Sequence, residues 1–181
     1  MAANTRRLRG ETIMDSAVVG GSAITATGTE INAVADVSAN GAVVKMKKIS
    51  IAATPTGAEQ DTTFNLPAKS VVLGVWVDVT TAEATGATKT LDVGLLSSES
   101  GGDADGFLDG VSVAATGVVK GTLLNTGQTL GALLYVDEDG SATVVPEPHV
   151  TGDAVSVTYT AGSNDFAEFR GDIYIEYIEI G

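Results

Sequence analysis

Beyond residue 42 the chain alternates apolar and polar residues with a period of two, which is typical of half-buried β-strands. The alternation is cleanest in residues 155–160, and it is longest in residues 70–81. In that long run Trp76, Asp78 and Thr80 face one way. The opposite, buried face is predicted to carry Val71, Val75, Val77 and Val79. The pattern predicts strands at 43–53, 70–81, 88–96, 111–120, 129–137, 141–146, 153–161 and 171–180.

Short clusters of Gly, Asp, Asn and Thr separate these runs, and such clusters close antiparallel strands. The strands recur at short intervals with almost no helical pattern between them, which favours antiparallel pairing over a parallel α/β sheet. The predicted fold class is therefore all-β, an antiparallel β-sandwich or jelly-roll. The predicted turns are at 84–86, 103–106, 137–140, 151–153 and 162–165.

The first and last strands carry further detail. In 43–53, Val44 and Met46 share one face whereas Ile49 and Ile51 lie on the other, which allows a bulge at the adjacent Lys47–Lys48 pair. The run at 171–180 has apolar or aromatic residues on both faces. It is either a central strand or a strand that packs on a neighbouring subunit.

Residues 1–42 are rich in Ala, Thr and Gly and have no sustained apolar period, so they are predicted to form an extended N-terminal arm. Within the arm, residues 29–37 suit a short helix with Thr29 as its N-cap. The predicted organisation is an arm, 1–42, and a β-sandwich body, 43–181. The body suits a single domain.

Charge divides a few residues further on, after Lys48. Through Lys48 there are six cations against four carboxylates, and from residue 49 onward there are four cations against nineteen, so a stretch near +2 precedes one near −15, which together give the net charge of −13. A body this acidic lacks the Lys and Arg that phosphate contacts need, so we expect no nucleic-acid partner. A basic N-terminal stretch ahead of an acidic body is typical of a protein held onto something larger through its arm.

Other classes are disfavoured by what the sequence lacks. The chain has no cysteine, which removes disulfide frameworks, thiolate metal sites and thiol nucleophiles. Its apolar runs are far shorter than the roughly twenty residues of a membrane span, so no membrane is expected. Glu11 and Asp15 interrupt the place where a secretory signal needs an apolar run. We expect a soluble protein made in the cytoplasm.

The single histidine, His149, follows Pro146-Glu147-Pro148 and is predicted to sit in a rigid, exposed loop. A triad would need a serine and a carboxylate beside it, but no Gly-x-Ser-x-Gly elbow is present. We predict no enzyme, no catalytic residue and no cofactor.

Asp103, Asp105 and Asp109 place three carboxylates within seven residues, a donor type that Ca²⁺ prefers. Phe107 stands where a calcium loop would have another ligand, and no helix flanks the segment. The favoured interpretation is an Asp/Gly-rich connection between strands, so no metal site is assigned and a bound cation is left open.

Trp76 is the only tryptophan. It suits either a core or interface position, which is the more common use of a lone Trp on a strand, or a sugar-stacking platform.

Several segments resemble phrases that recur in virion proteins of tailed bacteriophages, namely residues 23–38, 64–72, 88–94 and 105–111. Together they resemble capsid decoration, or cement, proteins. The resemblance implies a small β-rich subunit, commonly a homotrimer, that clamps the major capsid protein from the outer surface of an icosahedral capsid. Two alternatives stay open: a tail, neck or head-fibre component, and a carbohydrate-binding β-sandwich.

Overall fold

The computed structural model describes residues 6–8, 11–13, 17–19, 22–24, 43–51, 54–123, 128–137, 144–162 and 165–180. The chain divides into two units, residues 1–41 and 42–181. In the first unit, two antiparallel pairs of short strands are described: β1 (Arg6–Leu8) with β2 (Glu11–Ile13), and β3 (Ala17–Val19) with β4 (Ser22–Ile24). The helix predicted at 29–37 lies outside the described residues, and the arm's boundary at residue 42 stays a prediction.

The second unit is a body of two large antiparallel sheets and a separate antiparallel pair of short strands. Its described strands are β5 (Val44–Ile51), β6 (Gln60–Leu66), β7 (Ser70–Thr81), β8 (Thr90–Leu95), β9 (Asp103–Ser112), β10 (Gly117–Lys120), β11 (Tyr135–Asp137), β12 (Val144–Pro146), β13 (His149–Val150), β14 (Val155–Ala161) and β15 (Arg170–Glu179). A short 3₁₀ helix, Ala132–Leu134, precedes β11, which forms the separate pair with β12. The described residues contain no α-helix, and no helix among them is long and apolar enough to cross a membrane.

The two sheets are nested in the manner of a jelly-roll. The five-stranded sheet has the order β10-β7-β15-β5, with β13 also paired to β7, and the four-stranded sheet has the order β6-β14-β8-β9. Taking the eight main strands in chain order, the first pairs with the last, the second with the seventh, the third with the sixth and the fourth with the fifth. This nested antiparallel pairing, divided between two sheets, is the strand arrangement of a jelly-roll, so the predicted fold class is confirmed.

Alternation along the strands builds the core between the sheets. Val75, Val77 and Val79 of β7 are buried, and they belong to one continuous apolar cluster with Leu91 and Val93 of β8. The cluster also contains fully buried aromatic rings at Phe107 and Phe169. Because β15 lies between β7 and β5, the last strand takes the central position, which was the first of its two alternatives.

Several local predictions were wrong. The register between β5 and β15 is continuous, so no bulge occurs at Lys47–Lys48. A bulge lies instead in β7, where Gly74 faces Glu176 and Val72 faces Tyr177, leaving Leu73 as the extra residue. This extra residue shifts the alternation, so Val72 is the fully buried valine near the start of β7, while Val71 is only half-buried.

The strand at 60–66 was missed because its polar residues Gln60, Asp61, Thr62 and Thr63 show little apolar alternation. The segment 103–106, predicted as a turn, is the start of β9, and the run at 111–120 divides between the end of β9 and β10. The run at 129–137 holds the 3₁₀ helix and only a short strand.

Candidate interaction surface

The outward face of the five-stranded sheet carries a row of aromatic and lysine side chains and a row of exposed apolar ones. We call it the outer face. Because antiparallel register places paired residues on the same side of a sheet, its side chains form rows that run across the strands. The row through β10, β7, β15 and β5 is set by the pairs Lys120–Trp76, Trp76–Tyr174 and Tyr174–Lys48.

This row is a cation–aromatic ladder. The rings of Trp76 and Tyr174 are stacked with centroids 5.9 Å apart and planes 7° apart. Lys120 Nζ lies 5.2 Å from the Trp76 centroid, and Lys48 Nζ lies 5.9 Å from the Tyr174 centroid. Each such contact favours a cation held over the negative face of a ring.

The ladder leaves little ring surface for a sugar. Lys120 and Tyr174 reach Trp76 from strands on opposite sides of β7, so the two faces of the indole are both covered. A sugar-stacking platform needs an open ring face, whereas Trp76 offers its edge. The position of Trp76 on the face opposite Val75, Val77 and Val79 is as predicted.

Beside the ladder, Lys48 Nζ forms a 2.8 Å ion pair with Asp172, which also accepts a 2.6 Å hydrogen bond from Ser50 Oγ. Burial raises the pKa of Asp172, but the bonds from Lys48 and Ser50 outweigh it, so the pKa lies below its usual value. The same hydrogen bond raises the pKa of Lys48. These contacts fix the Lys48 side chain at the end of the ladder.

A second row, at the end of the outer face where residue 43 connects to the arm, is apolar. The register aligns Val44, Ile178, Val71 and Val150 across β5, β15, β7 and β13. Val44 is 52% exposed and Val150 is 54% exposed. A contiguous exposed apolar row is typical of a surface that contacts another protein.

Between the ladder and the apolar row lies a gap in strand pairing. On one side of β7, β10 pairs with residues 76–79 and β13 pairs with Val71 and Val72. No described strand pairs on that side with Leu73, Gly74 or Val75. The gap opens into a groove of about 430 Å³, whose walls include Trp76, Leu130, Leu134, Pro146, Glu147 and Glu176.

The predicted acidic cluster lies elsewhere, on β9 and the neighbouring β8. Burial raises the pKa of Asp103 to about 6, helped by the adjacent Asp105. Burial also raises the pKa of Asp109 and of Asp92, although Asp92 accepts a 2.7 Å hydrogen bond from the Gly110 amide. Within the described part of the chain, no group of three or more His, Asp or Glu residues is arranged to hold a metal ion.

His149 is not in an exposed loop. It lies in β13, opposite Val72, and is half-buried with its ring edge-on to Phe107 at 6.1 Å between centroids. Burial lowers the pKa of the imidazole. This short strand was not predicted, because the two prolines before it, Pro146 and Pro148, suggested a loop. The contacts of His149 are those of a packing residue.

Glu83, a buried carboxylate just after β7, was not among the residues predicted from the sequence. One oxygen accepts hydrogen bonds from the backbone amides of Ala167, Glu168 and Phe169 at 3.0, 3.0 and 3.2 Å, and the other accepts from the amide and hydroxyl of Thr85. Burial raises the pKa, but these bonds outweigh it and lower the pKa to about 2. Nothing in the sequence distinguishes this glutamate from the others.

A chain in the capsid of Ralstonia phage GP4 is 19% identical and has a TM-score of 0.54, with the match covering 78% of this chain and 88% of that one. The body shares the fold of a phage capsid chain. The resemblance to virion proteins seen in the sequence is thus confirmed at the level of the fold. Chains of the cyanophage Pam1 capsid (19% identity, TM-score 0.49, covering 77% and 87%) and of the acid-stable capsid of Helicobacter pylori bacteriophage KHP30 (15%, 0.44, covering 77% and 90%) also match.

The sequence comparisons gave no match: no family model and no curated protein matches the chain.

Proposed function

We propose that this protein is a non-enzymatic structural subunit of a phage virion that decorates and cements the outer surface of an icosahedral capsid. The observation that carries the proposal is the jelly-roll body, which shares its fold with a capsid chain over 88% of that chain's length. The outer face adds support, because it is organised by packing contacts between side chains and carries an exposed apolar row.

The proposed attachment device is the arm, residues 1–42, docking on the major capsid protein. An extended segment can add a strand to an exposed sheet edge and gain main-chain hydrogen bonds without specific side chains. The small residues at 16–29 permit close backbone approach. The apolar row at the connection between arm and body would then lie beside the shell, where it can be covered.

The remaining acidic surface has a role in this proposal as well. Residues 49–181, which carry a net charge near −15, make the outside of the virion negative, which keeps virions apart in solution. The same charge opposes close packing of neighbouring bodies. A homotrimer, which the resemblance implies, therefore needs apolar or oppositely charged contacts to form.

The proposal is tested by sedimenting shells with the full chain and with a chain that lacks residues 1–42. The truncated chain should keep its β-sheet circular dichroism and its cooperative unfolding but lose binding to the shell. If the truncated body still binds shells with unchanged affinity, the arm is not the attachment device.

A second measurement separates cement from the tail, neck and fibre alternatives. Quantitative mass spectrometry of purified virions gives the copy number relative to the major capsid protein. A ratio near one to one is expected of cement, whereas a handful of copies would place the protein in the tail or neck.

A further inference from the structure

The gap in β7 leaves backbone groups that no described strand pairs with. Leu73, Gly74 and Val75 lie between the segments that pair with β13 and β10, and the edge they present is open along the groove. The bulge at Leu73, which lies in the pairing of β7 with β15 on its other side, falls at the same residues as the gap, and a bulge bends the strand locally. Such an edge can accept an added strand through main-chain hydrogen bonds.

The groove beside this edge has a definite chemistry. Leu73, which is 40% exposed, and the prolines Pro146 and Pro148 give it apolar walls. Glu147 and Glu176 place two carboxylates at it. The one lysine among its lining residues, Lys120, is held over the Trp76 ring. An occupant that matches this groove is extended, about three residues long where it pairs, partly apolar and positively charged.

One segment of the chain has these properties. The strand β1, Arg6–Leu8, has three residues, and the gap in β7 also has three. Its sequence is Arg-Arg-Leu, followed by Arg9, which is the densest positive charge in the arm. Among the described strands β1 pairs only with β2, so it has a second edge available for pairing.

We infer that the groove at Leu73–Val75 binds the Arg6–Leu8 strand of a second copy of this protein, so that neighbouring subunits are linked by their arms. The strand completes the pairing of β7 in the gap, and its positive charge lies near Glu147 and Glu176. Charge complementarity favours this occupant over most of a second copy, because residues 49–181 carry nineteen carboxylates against four cations. The other basic run, on β5, is already paired with β15, and its Lys45 and Lys48 are held in ion pairs with Glu179 and Asp172.

The arm is long enough for this exchange. Thirty-three residues lie between Arg9 and Val43, and a fully extended stretch of that length spans at most about 120 Å, which the two arm hairpins shorten. Only the first strand is assigned to the neighbouring subunit. The small-residue stretch at 16–29 is left for the shell.

Because the chain has no cysteine, disulfide trapping gives a direct test. Two single-cysteine chains, one with Leu8→Cys and one with Leu73→Cys, are mixed and oxidised, and the disulfide-linked heterodimer is measured on a non-reducing gel. Cysteines bridge readily only when their Cα atoms lie within about 7 Å. The control replaces Leu73→Cys by Val118→Cys, a 62% exposed position on the outer face outside the groove.

The expected result is heterodimer formation at least tenfold faster with Leu73→Cys than with Val118→Cys, because bound strands have a high effective concentration. Adding Glu147→Gln and Glu176→Gln, or raising the salt concentration, should slow the trapping. Should Leu73→Cys fail to fold, Glu147→Cys is used instead, because Glu147 is exposed at the groove.

Equal rates for the two cysteine positions would overturn the inference. A chain that carries both Leu8→Cys and Leu73→Cys gives a second check. If it forms the disulfide only within single chains, so that it stays a monomer on the gel, the groove holds the chain's own arm and the inference is also overturned. Either failure leaves the proposed capsid function intact if the arm is still required for shell binding, so the two proposals are tested separately.

Discussion

Trp76 and Tyr174 stack across neighbouring strands with ring planes 7° apart, and each ring carries a lysine ammonium on its other side. The ladder ties all four strands β10, β7, β15 and β5 together on the outer face. It also links the groove to the centre of the sheet, because both Trp76 and Lys120 contribute to the groove.

Trp76→Ala should lower the free energy of unfolding by about 1–3 kcal/mol, since it removes a half-buried ring together with its stacking partner contact. Trp76→Phe keeps a ring in the row and should recover at least half of that loss. Urea denaturation followed by circular dichroism measures both variants. A Trp76→Ala protein as stable as the wild type would show that the ladder contributes no stability.

Glu83→Gln should destabilise the body by about 2–3 kcal/mol near neutral pH, because a charged acceptor of several buried hydrogen bonds is lost. Glu168→Gln, which changes an exposed glutamate nearby in the structure, is the matched control and should have little effect.

The pH dependence of the same carboxyl has a definite sign. Its pKa is about 2 in the folded state against 4.5 ordinarily, so its stabilisation is complete above pH 4.5 and is lost as the pH falls toward 2. Denaturant midpoints measured from pH 6 to pH 2 should fall less steeply for Glu83→Gln than for the wild type. Parallel pH profiles for the two proteins would contradict this assignment.

Asp103→Asn should have the opposite effect. The pKa of Asp103 rises from 3.8 to about 6 on folding, so the ionised carboxyl costs stability as the pH rises through that interval. At pH 7.5 the variant should be more stable than the wild type by no more than about 1 kcal/mol, because partly exposed charges are screened. The gain should disappear below pH 4. Asp153→Asn removes the same net charge at an exposed position and serves as the control.

Replacing Val44 and Val150 by Ser should change the free energy of unfolding by less than about 0.5 kcal/mol per site, because both side chains are already exposed. Under the proposed function the double variant should nonetheless bind shells several-fold more weakly. Sedimentation with shells measures the binding, and wild-type affinity would mean that the apolar row lies outside the shell contact.

The sequence pattern correctly predicted the strands that have one buried face and one more polar face. In β7, β14 and β15, buried valines, isoleucines and tyrosines repeat every second residue, and these strands lie close to their predicted bounds. The polar strand β6 could not be found in this way. Its Thr62 donates a hydrogen bond to the Val157 carbonyl and its Thr63 faces solvent, so neither position needs an apolar residue.

The candidate site was harder to predict than the fold. The outward position of Trp76 followed from alternation, but its stacking on Tyr174 depends on the register between β7 and β15. The groove depends on a bulge and on two separate strands that stop short of each other on β7. Those are properties of the tertiary arrangement, and a linear pattern does not carry them.

The nested pairing of strands has a consequence for how the protein is made. The first strand of the body, β5, has its only described partner in β15, about 120 residues later, where Lys45 and Glu179 form an ion pair at 2.6 Å. Contacts so distant in sequence must wait until the intervening chain has been synthesised. A nascent chain that stops before β15 lacks the strand that joins β5 to β7. Truncated products therefore cannot complete the five-stranded sheet.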